Sequence, residues 1–167
     1  MTTRVQPRLR ALTSADRARI AEITAATGVF REEELRIAAE VFDDAVKAAE
    51  AADQPDLPYY QLGAELDSRL LGWICWGATP CTEGTWDLYW LAVDPAAQGS
   101  GVGTALVDEM EARLRGKARL IAVDTSGRAD YTPTRRFYLA RGYREVAVVP
   151  DFYAPGDDQV IFTKALS

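Results

Sequence analysis

A short run of glycines offers the first chemistry in this sequence. Gln98-Gly99-Ser100-Gly101-Val102-Gly103 sets three glycines within five residues. It leads straight into a stretch with Val102, Ala105, Leu106, Met110 and Leu114 at helical steps of three and four. Glycines just before a helix leave backbone N–H groups bare and aimed outward, where an anion meets the positive end of the helix dipole. Such a turn suits a phosphate. A Rossmann fingerprint started on Gly99 and Gly101 needs glycine at 104, where Thr104 stands. A P-loop needs Gly-Lys-Ser/Thr, but Gly116-Lys117 is followed by Ala118.

Other chemistries are removed by what the chain lacks. It has no histidine, so the usual general base, a His-containing metal site and a histidine triad are all excluded. Any base must be a carboxylate or a water. The two cysteines, Cys75 and Cys81, cannot form a zinc set or a disulfide scaffold, and both are expected to be buried and inert. No metal is expected.

What remains, Gln-x-x-Gly-x-Gly after a strand and opening a helix, resembles the acetyl-CoA-binding motif of the GCN5-related N-acetyltransferase (GNAT) superfamily. Phe137-Tyr138-x-x-x-Gly142-Tyr143 is similar to the second motif of that family, and lies about forty residues downstream in the family's order. Upstream of it the family pattern has an asparagine and a small residue, where this chain has Tyr131 and Thr134. The resemblance spans Trp86 to Tyr143, and is topological elsewhere.

The resemblance implies acetyl transfer from acetyl-CoA to an amine. Gln98, Gly99, Ser100, Gly101, Val102, Gly103 and Thr104 would hold the pyrophosphate. Leu91, Ala92 and Val93 would offer backbone to the pantetheine arm, one N–H there serving as an oxyanion donor. Tyr131, Thr134 and Phe137 would line the same cofactor. Tyr138 is the candidate general acid, since a phenol of pKa ~10 can donate to a departing thiolate; the alternative is a helix tyrosine packed on the sheet. Asp87, counted back from Gln98, takes the strand position where the histone-acetylating branch carries a glutamate base. It would act as the base, or else orient the substrate ammonium or sit solvated at a strand end. Asp151, Tyr153 and Asp157 lie on a stretch that the family often brings over the acceptor. Acidic and aromatic groups there suit a cation, and a solvated Pro/Gly/Asp turn is the alternative.

The elements that must position these residues follow from local signals. Arg8 to Leu12 alternates as a strand, Thr13 to Asp16 can cap a helix through Thr27, and Gly28 stops it. Glu32, Glu33 and Glu34 open a second helix, Arg31 to Ala52, with Leu35, Ala38, Phe42, Ala45 and Ala49 on one face. Tyr59 to Leu66 and Leu70 to Ala78 form a hairpin, and Trp86 to Val93 is the motif strand. The helix after it, stopped by Gly116, leads to the strand Arg119 to Asp124 through a parallel crossover. Thr132 as cap, Pro133 at the first helical position and Gly142 at the end frame a short helix. Strands Tyr143 to Val149 and Gln159 to Leu166, joined by a loop over 151–158, close the chain.

The expected fold is therefore α/β (α+β), a single GNAT-like domain over 1–167. Its mixed central sheet of about seven strands is flanked by about four helices, in the order strand-helix-helix-strand-strand-strand-helix-strand-helix-strand-strand. At 167 residues one domain buries roughly 68–70% of its unfolded surface unaided. The net charge of −6 disfavours nucleic acid and slightly favours an amine-bearing partner. The first twenty residues lack the apolar core of a signal peptide, and no apolar run approaches the ~20 residues of a membrane span. A cytoplasmic protein with no membrane partner is expected. Exposed aromatics on edge strands would support a homodimer.

Three functions compete at this point. One is an N-acetyltransferase acting on a small primary amine through a direct ternary complex. Another is a CoA-binding sensor or partner-binding module without turnover. The third is an acetyltransferase acting on protein N-termini.

Overall fold

The computed structural model describes residues 6–51 and 56–167. Eleven regular elements follow the expected order. They are β1 (Arg8–Arg10), α1 (Arg17–Ala26), α2 (Glu32–Glu50), β2 (Tyr60–Leu66), β3 (Arg69–Ala78), β4 (Thr85–Val93), α3 (Val102–Leu114), β5 (Leu120–Ser126), α4 (Thr132–Ala140), β6 (Arg144–Ala154) and β7 (Asp157–Ala165). The strands form one mixed seven-stranded sheet, ordered β1-β2-β3-β4-β5-β7-β6. By compactness the chain divides into two units, Met1–Gly77 with Trp90–Arg113, and Ala78–Tyr89 with Leu114–Ser167.

In the first unit, β1, β2 and β3 pair antiparallel, with Leu62 opposite Ile74 and Gly63 opposite Trp73. Of the apolar face expected on α2, Ala38 and Phe42 enter a core that also holds Val46, Ile20, Ile23, Leu70, Trp73 and Cys75, whereas Ala49 at the end of that face is exposed. Phe42 meets Trp73 edge to face at 6.1 Å, the arrangement that ring quadrupoles favour. The indole N–H of Trp73 donates to Thr24 Oγ1 at 3.0 Å, so its one polar atom is satisfied inside the core. Val102 and Leu106 of α3 approach β3 at Gly72. A Cβ at Gly72 would stand 3.0 Å from both Ala92 O and Val102 Cγ1, so a larger residue would push the helix away.

In the second unit, β4 and β5 run parallel, with Thr85, Trp86 and Asp87 opposite Leu120, Ile121 and Ala122. Beyond that three-residue ladder β4 continues to Val93 and β5 to Ser126. β7 pairs antiparallel with β5 on one side and β6 on the other. The helix α4 begins at Thr132, with Tyr131 rather than Thr132 at its N-cap, because a single 3-10 turn over Ala129–Tyr131 leads directly into it. Its end matches the glycine signal. Gly142 takes φ +85, its N–H bonds Leu139 O, and the N–H of Tyr143 reaches back to Tyr138 O at 3.1 Å. This is a Schellman closure, which brings the residue after the glycine onto the last turn of the helix. Tyr143 accordingly packs on Tyr138, ring centroids 5.4 Å apart.

Two expectations are corrected. The stretch 151–158 is not a loop: β6 runs to Ala154, β7 starts at Asp157, and Pro155-Gly156 turns between them. Asp151 makes the longer hairpin workable by adopting φ +53 and accepting the Gly156 N–H on Oδ1 at 2.7 Å. The cysteines also differ from each other. Cys75 is buried and its thiol is pushed up to about 12 by desolvation, whereas Cys81 is exposed in the turn before β4.

Candidate active site

The glycine turn is built from the end of β4 onward. Asp94 follows the strand and is buried. Its Oδ1 accepts the Ala96 N–H at 2.9 Å and its Oδ2 accepts from Arg19 Nη2 at 2.5 Å, while Arg19 Nε also donates to Leu70 O. The Ala96 N–H, then the Arg19 guanidinium, hold the Asp94 carboxyl below its ordinary range. Sequence reasoning passed over Asp94, although an Asp-Pro pair after a strand signals a turn capped by a carboxylate.

Past this anchor the chain needs conformations that only glycine takes easily. Gly99 has φ +79 and Gly101 φ +97. A Cβ at either would meet nothing within 4 Å, so glycine is there for its backbone freedom, and the turn presents an open surface. The Gln98 amide, on an exposed residue, donates back to Val93 O at 3.4 Å. Ser100 is exposed as well, with its hydroxyl and N–H both directed to Ala97 O. The first bond of α3 is Ala105 N–H to Gly101 O. Val102 and Gly103 lie in the turn before it, where helix N–H groups have no intrahelical acceptor. Val102 is buried, while Gly103 and Thr104 are half-buried. Just upstream Ala92 is buried and Leu91 and Val93 are half-buried. An open glycine turn with amides at a helix N-terminus fits the pyrophosphate of acetyl-CoA.

The candidate acid and base side chains lie in the second unit. Tyr138 is 4% exposed and sits among Phe137, Tyr143 and Phe162. Desolvation, then Tyr131, raises its phenol above the ordinary value. Tyr131 is buried with the Arg128 guanidinium 5.3 Å from its ring centroid, and Arg141 lies 4.6 Å from that of Phe137. Thr134 is half-buried on α4. Asp87, also half-buried, accepts the Thr79 hydroxyl on Oδ2 at 2.7 Å.

The hairpin residues are placed differently from one another. Asp157 is buried, bonded by Ser126 Oγ at 2.5 Å and reached by Arg128 Nη1 at 3.4 Å. Asp151 is exposed and engaged in its own turn. Tyr153 is half-buried with its ring edge-on to Phe152 at 5.0 Å. Sequence reasoning also missed Arg135, which donates to Ser126 O, Arg128 O and Thr132 Oγ1 and so fixes the turn from β5 into α4. In the sequence, Asp124 on β5 reads only as the end of a strand. Its side chain is exposed, and its pKa is raised by the partial enclosure of its carboxyl and then by Asp87.

Known proteins are similar to this chain in sequence and fold. The sequence profile of the Acetyltransferase (GNAT) family matches residues 22–143, most of the chain. The chain belongs to the GNAT family. An uncharacterized N-acetyltransferase of Methanocaldococcus jannaschii is 32% identical over 101 residues, 60% of this chain and 63% of that relative, so the match spans less than two-thirds of its length. A crystal structure from Desulfovibrio desulfuricans, assigned to GNAT acetyltransferases, is similar with a TM-score of 0.87 and 36% identity, covering 96% of this chain and 99% of that one. The PaiA N-acetyltransferase of Thermoplasma acidophilum, solved with coenzyme A, has a TM-score of 0.74 at 18% identity, covering 96% and 99% of the two chains, and shares the GNAT fold.

Proposed function

We propose that this protein, acting as one domain over 1–167, moves an acetyl group from acetyl-CoA to a primary amine of a small molecule by direct transfer. The observation that carries the reading is the left-handed pair Gly99 and Gly101 opening α3, on a chain of the GNAT family. Acetyl-CoA supplies a thioester whose acyl carbon is open to an amine and whose thiolate can leave. The N–H groups at the start of α3 hold the pyrophosphate, and the backbone of Leu91–Val93 receives the pantetheine arm. Tyr138, kept neutral by burial, donates a hydrogen bond or proton toward the departing sulfur. Asp87, already accepting one hydroxyl, orients the substrate ammonium. The acidic surface of the chain, net −6, supports a cationic amine over nucleic acid. Asp151 and Tyr153 contribute at the acceptor end, whereas the bonds of Asp157 to Ser126 and Arg128 favour a hairpin-fixing role for it.

Free-thiol release from acetyl-CoA across a panel of small amines and N-terminal peptides tests the reading. Turnover confined to small amines supports it. Turnover with peptides alone moves the acceptor to protein N-termini. Acetyl-CoA binding with no thiol release from any amine replaces it with a CoA-binding module.

A further inference from the structure

We propose that Asp124 takes the proton from the acceptor amine, with Asp87 as its partner carboxylate. The inference rests on the acetyl-transfer reading above and deepens it by naming the base.

The juxtaposition is set by strand register. Asp87 of β4 stands opposite Ala122 of β5, and side chains two residues apart share a sheet face, so Asp124 lies on the same face as Asp87, one pleat further along. On the other side of β5, Asp124 is opposite Ile161 of β7. Gln159, two residues from Ile161 and on the same face, hydrogen-bonds the Asp124 carboxyl. The charge acting on Asp124 is thus that of Asp87, and β7 contributes a neutral amide.

The two acids are unequal. Asp87 is half-buried and has Oδ2 occupied by the Thr79 hydroxyl. Asp124 is exposed and can be reached by a substrate. Partial enclosure, then the Asp87 charge, favour its protonated form and outweigh the opposing Gln159 hydrogen bond, the direction that makes a carboxylate a better base near neutral pH. In a chain without histidine, Asp124 is, among the described carboxylates, the one whose surroundings raise its pKa. One proton passes from the ammonium to Asp124 and on to water. As the nitrogen–acyl bond forms and the carbon–sulfur bond breaks, the second proton leaves the nitrogen and replaces the one that Tyr138 gives to the thiolate.

The test is the pH profile of kcat/KM for the full-length wild type, D124N and D87N, alongside a carbon-13 NMR titration of labelled aspartates in wild type and D87N. We expect wild type to lose activity as pH falls through a pKa above the ordinary carboxylate range. D124N should lose about 100-fold or more in kcat with its acetyl-CoA KM unchanged. D87N removes the like charge, so its acid limb and its Asp124 resonance should both move to lower pH. A D124N enzyme within a few-fold of wild type and with the same acid limb overturns the inference. So does an Asp124 resonance that titrates at the ordinary value or ignores D87N, a result that does not depend on D124N folding. A wild type that turns over no amine overturns the acetyl-transfer reading and this inference together; turnover that D124N matches overturns this inference alone.

Discussion

The glycine turn before α3 and the acidic and aromatic group on β4, β5 and α4 are built by opposite means. In the proposed function the turn works through main chain. Its Gln98 and Ser100 side chains bond back to Val93 O and Ala97 O, and in the proposed function its chemistry lies in the amides of a turn shaped by left-handed glycines. The second region, as proposed, works through side chains whose protonation depends on surroundings, a buried phenol at Tyr138 and a partly enclosed carboxyl at Asp124. A backbone device should fail through geometry and be indifferent to pH. A side-chain device should fail through loss of one functional group and show it in a pH profile.

The largest expected effect that would sharpen the contrast is at Tyr138. Tyr138→Phe keeps the ring packed on Tyr143 and Phe162 and removes only the hydroxyl. We expect kcat to fall about 100-fold with the acetyl-CoA KM and Tm nearly unchanged. Because burial raises this phenol, wild type should show no alkaline limb from it up to about pH 10, the ordinary tyrosine value; such a limb, abolished by the substitution, would show a solvated hydroxyl instead.

The turn should respond in the other currency. Gly101→Val forces a β-branched residue to φ +97, a strain on the order of 1–3 kcal/mol. We expect the acetyl-CoA KM to rise about tenfold, kcat at saturation to hold, and the rise to be the same from pH 6 to 9. A change confined to kcat would break the comparison.

A smaller effect is expected at the anchor. Asp94→Ala removes the acceptor of the Ala96 N–H and the partner of Arg19, at about 1 kcal/mol by analogy with lost caps. The folded-state pKa of Asp94 is depressed, so its stabilisation is complete above the unfolded value of ~3.9 and is lost as pH falls through the lower folded value. Urea midpoints of wild type and D94A should therefore differ at pH 7 and converge below about pH 4. A gap that persists into acid would mean that packing, not charge, holds the turn.

The least perturbing check uses the cysteines. Iodoacetamide at pH 8 followed by mass spectrometry should modify exposed Cys81 and spare Cys75, whose thiol is pushed up to about 12. Modification of Cys75 would show that the first unit opens readily.

The sequence by itself determined the order of the elements, because each rests on local signals: glycines at 28, 116 and 142, the Glu32-Glu33-Glu34 helix start, and the apolar runs of the strands. It determined the two motifs for the same reason, since a left-handed turn and a Schellman closure are written within six residues of chain. The extent of β6 and β7 was not legible, because Pro, Gly and Asp over 151–158 carry turn chemistry, and only the pairing with a neighbouring strand shows that the ladder runs past it. The tertiary structure alone decided which acids are occupied and which are reachable. Asp94, Asp157 and Asp87 meet partners 75, 31 and 8 residues away, and Asp124 acquires its raised pKa from a strand 37 positions earlier in the chain, since 124 − 87 = 37. Burial and charge act through space, and sequence spacing encodes neither.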